Sequence, residues 1–159
     1  MKRKILIFAI TLIVTISVRA FSQSKPRIST IVITFEGKSD HPVFPVVVSS
    51  SSEEAEWYKN KLFNDPVASF VHVYVVPKGV WTQITSVRML REDVKQANPG
   101  DLQGATPVLK VVLASGHSSR TVAVEAQDAI AFLSDVRARL PEYPSLVEHL
   151  SEMQARMQH

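Results

Sequence analysis

Residues 28–36 read Ile28-Ser29-Thr30-Ile31-Val32-Ile33-Thr34-Phe35-Glu36. Ile31, Ile33 and Phe35 share one parity, and Thr30, Thr34 and Glu36 share the other. Side chains of an extended chain point alternately to opposite faces, so this period of two predicts a half-buried β-strand. The polar connection Gly37-Lys38-Ser39-Asp40-His41-Pro42 follows, and then a second β-branched run, Val43 to Val48. A connection this short implies a hairpin. Pro42 and Pro45 carry no N–H for a ladder, which predicts that the second strand lies at a sheet edge.

Further along, Ser49 to Ser52 precede Glu53 and Glu54. Serine oxygens accept from the orphan amides of a first helical turn, and carboxylates there suit the helix dipole, so a helix is expected to about Phe63. Ser51 and Glu54 have the spacing of a capping box. Ala55, Tyr58 and Leu62, with Trp57 beside them, form its apolar stripe, and Asn64-Asp65-Pro66 ends it. Val67 to Val76 is apolar at both parities, the pattern of a central strand. His72 inside it reads as a hydrogen-bonded core residue.

From Thr82 the apolar residues Ile84, Val87, Leu90 and Val94 recur at helical spacing, predicting a helix to about Ala97 and then a loop over 98–104. Val108 to Ala114 reads as a strand, Ser115 to Ser119 as a turn and Arg120 to Val124 as the hairpin partner. Ala126, Ala129, Ile130, Leu133, Val136 and Leu140 mark a helix that Pro141 stops. Pro144 seeds a last helix along Leu146, Val147, Leu150, Met153 and Met157.

The order is therefore ββαβαββαα: one α+β domain over 28–159, built on a mixed five-stranded sheet with four helices. Two helical crossovers imply parallel pairs, and two short connections imply hairpins. Strand, polar loop with a histidine, strand and helix recur at 28–63 and at 108–140, which raises an internal duplication as an expectation.

Upstream, Met1-Lys2-Arg3-Lys4 precedes an uncharged apolar run from Ile5 to Val18. Residues 1–20 read as a secretory signal peptide, cut after Ala20 or after Ser22, with 21–27 as a flexible lead. The run is shorter than the roughly 20 residues that span a bilayer, so no stable membrane anchor is expected after cleavage. The expected location is periplasmic or extracellular. Four of the 18 Lys and Arg residues belong to this segment and none of the 15 acids does, so the remainder carries 14 cations against 15 anions. The sequence pI near 9.3 thus comes from the leader, and a nucleic-acid partner is not expected. With no cysteine, the domain must be held by packing alone, without disulfides.

Phosphate-binding loops, a zinc-protease helix, a nucleophile elbow and calcium loops are all missing from the sequence, and no cofactor is expected. What remains are two hairpin loops, with Asp40 and His41 in the first and His117, Ser119 and Arg120 in the second. Were they neighbours, two imidazoles and a carboxylate could bind a metal, or His117 and Arg120 could receive an anion. Trp57 and Trp81, near helix starts, are candidates for a partner surface. The favoured expectation is a non-catalytic binding or protein-interaction module for an unknown protein or small ligand. Its alternatives are a small hydrolase or metal-assisted enzyme on the two loops, and a structural component of the cell envelope.

Overall fold

The computed structural model describes residues 27–38, 41–85 and 107–158. Its elements follow the expected order: β1 (Thr30–Glu36), β2 (Val46–Ser49), α1 (Ser52–Leu62), β3 (His72–Val75), α2 (Lys78–Thr85), β4 (Val108–Ser115), β5 (Ser118–Val124), α3 (Ala126–Ala138) and α4 (Pro144–Met157). The strands form one mixed sheet in the order β3-β2-β1-β4-β5. β1 pairs antiparallel with both β2 and β4, β4 with β5 likewise, and β2 with β3 in parallel. The α+β class and the five-stranded mixed sheet are as the sequence predicts.

Two expectations about strand position are reversed. β2 is interior, not an edge, because Pro42 and Pro45 precede its ladder, which begins at Val46 opposite Ile33. Pro45 needs no N–H there; its carbonyl accepts from the His72 amide at 3.0 Å. β3 is the edge and only His72–Val75 of the predicted run belongs to it; Val67–Phe70 forms a 3-10 turn instead. The second crossover also yields no parallel pair. β4 joins β1, where its two apolar faces, Leu109, Val111 and Leu113 against Val112 and Ala114, are both buried.

Among the described residues, the two faces of the sheet are covered unequally. On one, Ile31, Ile33, Val46, Val48, Val111 and Val122 pack with Trp81 and Ile84 of α2 and with the α3–α4 pair, whose Phe132, Leu133, Leu146, Leu150 and Met153 are buried. Each such side chain withdrawn from water stabilises the fold by about 1.5–3 kcal/mol before entropy is counted. On the other, α1 lays Ala55 and Tyr58 over Val32, Val47, Val71 and Val112. This arrangement excludes the simple duplication. An axis relating two ββα halves across the antiparallel β1–β4 pair would put both helices on one face, whereas α1 and α3 lie on opposite faces.

α1 is capped by Ser51, whose Oγ accepts from the Glu54 amide at 3.3 Å. The reciprocal half of the capping box is not formed. The Glu54 carboxylate instead accepts from Ser29 Oγ at 2.7 and 2.9 Å, and the Ser51 amide donates to Ser49 Oγ at 3.0 Å. Leu62, expected in the buried stripe, is exposed at the helix end. α2 begins at Lys78, before the expected Thr82; the remainder of that predicted helix and the 98–104 loop lie outside the described residues.

Candidate functional site at the sheet edge

The register of β1 and β4 decides whether the two hairpin loops can cooperate. Thr30 lies opposite Ala114 and Glu36 opposite Val108. The first loop leaves the sheet after Glu36, and the second turn leaves after Ser115, at the Thr30 end. They sit at opposite ends of the sheet, roughly 20 Å apart at the usual rise per strand residue. His41, exposed in the first connection, and His117 therefore share no ion or substrate. Asp40 lies outside the described residues. Among the described residues, no three His, Asp or Glu side chains gather to hold a metal.

The second turn has a different role. Ser115 pairs with Ser118, leaving Gly116-His117 as a two-residue connection. Gly116 has φ 57° and no non-glycine residue among the described ones has positive φ, the pattern of a type II′ turn with glycine first. His117 stacks on Trp57 with ring centroids 4.0 Å apart, and Lys61 Nζ sits 4.3 Å from the same indole centroid. Beside them, Tyr58 Oη donates to the Gly116 carbonyl at 2.7 Å. Trp57 and His117 thus meet each other, fastening the hairpin to α1. Burial raises the Tyr58 pKa above the phenol value of 10.0, with the charge of Glu54 adding and a hydrogen bond from Ser119 opposing. Ser119 and Arg120 are exposed strand residues opposite Ala114 and Leu113. Trp81 is no partner surface: it is buried, and its Nε1 donates to the Ile28 carbonyl at 2.8 Å.

Polar and apolar features converge instead on β3. The exposed large apolar side chains among the described residues are Leu62, Val67, Phe70 and Val75, at 41, 44, 51 and 46% exposure, and all lie at the end of α1, in the 3-10 turn or on β3. The amides of His72 and Val76 donate to Pro45 and Ser49, toward β2. By alternation along a strand, the N–H and C=O groups of Val73 and Val75 point outward, where β3 has no neighbouring strand among the described residues.

On the α4 side of this edge runs a continuous series of rings. Phe70 stacks on Phe44 at 4.9 Å, Phe44 meets His72 edge-on at 6.4 Å, and His72 stacks on His149 of α4 at 3.7 Å with planes 20° apart. Tyr74 Oη is 2.6 Å from His149 Nδ1 and 3.0 Å from Ser145 Oγ. Burial lowers the His72 pKa below 6.5, the charge of His149 lowers it further, and Glu152 opposes both. Stacked rings hold their in-plane lone pairs side by side, so His72 and His149 do not converge on one metal ion. They form an apolar surface in the neutral state and a repelling pair when charged.

His72 is therefore not a core residue, and His149 carries no signal of its own in the sequence. The available hint was the spacing of Ser145, His149 and Glu152, a polar stripe of period three to four along the last helix. No family model, curated protein or solved structure matches this chain.

Proposed function

We propose that the chain is an exported, non-catalytic interaction module that takes an extended segment of a partner protein alongside β3 as a sixth strand. The observation that carries this reading is the coincidence of the outward backbone groups of Val73 and Val75 with exposed apolar side chains on β3 itself, Val75, and on the stretch that leads into it, Leu62, Val67 and Phe70. Natural proteins usually blunt such an edge with charge or cover it, and strand addition is the recurrent use of one left open. Pro77 removes the next outward donor, which limits the addition to the length of β3, about 13 Å for four residues.

Size favours a peptide over a second copy of the chain. Four apolar side chains, each roughly half exposed, present well under the about 800 Å² per partner that a stable dimer buries. Export is supported by the cationic start Met1-Lys2-Arg3-Lys4 and the apolar run to Val18.

Peptides selected from a random display library on the purified protein test the reading. Selected sequences are expected to alternate apolar residues, to slow amide exchange at Val73 and Val75, and to lose binding in Val75→Asp and Phe70→Asp. Peptides that bind these variants undiminished would overturn it. So would protection of the same amides by concentration-dependent dimerisation, the mark of a second copy.

A further inference from the structure

We infer that the His72–His149 stack is a pH-responsive latch on the β3 edge, closed when both rings are neutral and parted when they take up protons, so that a docked segment is held near neutral pH and released in acid. The inference rests on the docking reading and names the regulation of that same edge.

Its basis is geometric. One ring belongs to the edge strand and the other to α4, and they stack at 3.7 Å. Neutral imidazoles gain from that contact, whereas two imidazolium rings at the same distance repel. The Tyr74 phenol adds a second element, because it lies between His149 Nδ1 and Ser145 Oγ. With the ring proton on Nε2, Nδ1 accepts from the phenol. A doubly protonated ring must donate from Nδ1, which reverses that bond and turns the phenol proton toward Ser145.

The titratable groups acting on His72 are His149, which disfavours its charged form, and Glu152, which favours it. Burial outweighs Glu152 in the free protein. A segment lying along β3 would cover the His72 imidazole further and disfavour its charge still more. Docking therefore releases protons, and by linkage acid weakens docking.

A pH titration by heteronuclear NMR, on the protein and on His149→Phe, tests this. The His72 ring is expected to titrate below its ordinary value, with the Val73 and Val75 amides shifting at the same midpoint. His149→Phe keeps a ring against His72 but removes the second charge, so the His72 midpoint rises and the β3 shifts shrink to those that His72 protonation alone produces. Rings that titrate without moving the β3 amides, or a His72 midpoint unchanged in the variant, would overturn the latch.

The second arm measures a peptide from the selection above whose binding Val75→Asp abolishes. Its affinity should be at least about threefold weaker at about pH 5.5 than at about pH 7.5, with a smaller ratio in His149→Phe, where only the His72 charge remains. Equal affinity at both values overturns the latch. A selection that yields no edge-binding peptide counts against the docking reading alone, while the ring and amide titration still decides the latch.

Discussion

The imidazole of His117 lies flat against the indole of Trp57, with centroids 4.0 Å apart and planes 7° from parallel. One ring comes from the turn between β4 and β5 and the other from α1, so the stack is a seam between the second hairpin and the helix on that face. From sequence alone, replacing His117 and Arg120 together would be expected to leave stability unchanged. The seam divides that expectation. His117→Ala should cost about 0.5–1.5 kcal/mol in urea unfolding, the scale of an aromatic pair. Arg120→Ala, at an exposed strand position, should change it by less than about 0.5 kcal/mol. Equal costs for the two would refute the assignment of the turn's role to the stack.

Tyr58→Phe probes the same seam from within. The side chain is fully buried, and its hydroxyl donates to the Gly116 carbonyl at 2.7 Å. Its removal leaves that carbonyl without the bond and should cost about 1–2 kcal/mol. Because the folded state holds the phenol neutral above the ordinary value of 10.0, the folded protein binds more protons than the unfolded chain in strong alkali. Tyr58 therefore contributes stability that is full below pH 10 and is lost as pH rises through the folded pKa. Wild-type unfolding free energy should fall more steeply in that window than that of Tyr58→Phe.

Ser49 is the polar counterpart. It is fully buried, its Oγ lies 2.7 Å from Thr30 Oγ1, it donates to the Ser29 carbonyl at 3.1 Å and it accepts from the Ser51 amide at 3.0 Å. Ser49→Ala strands a buried hydroxyl and the N-cap amide of α1 at once, so a loss of about 2–3 kcal/mol is expected in denaturant unfolding. Restoring half or more of it by adding Thr30→Val would locate the cost in the orphaned Thr30 hydroxyl.

How much of this was legible follows from which forces act locally. The period of two in β1 and the helical spacing of Leu146, Leu150 and Met153 report the buried face directly, so element order and class were readable. Strand neighbours were not. Pro42 and Pro45 look like edge markers until the register shows the ladder starting after them, and the apolar run from Val67 looks central although its first part forms a 3-10 turn. Those outcomes depend on which strand wins the interior position, a competition settled by contacts across the whole chain. The His72–His149 pair joins residues 77 positions apart on a strand and a helix, and no local pattern announces such a meeting.

That pair gives the last prediction, for global stability in mild acid. His72 has a folded pKa below its unfolded value of 6.5, so the unfolded chain binds more protons in the intervening window. Its contribution is therefore present above about pH 6.5 and is lost as pH falls through the folded value. Two substitutions should move the acid dependence in opposite directions. His72→Phe removes the titrating group and should flatten the fall in urea midpoint below pH 6.5. Glu152→Gln removes the charge that favours imidazolium, lowers the His72 pKa further and should deepen the fall. Carboxylates other than Glu152 are common to all three proteins, and a Glu152→Gln curve flatter than wild type would contradict a lowered His72 pKa as the source of the fall.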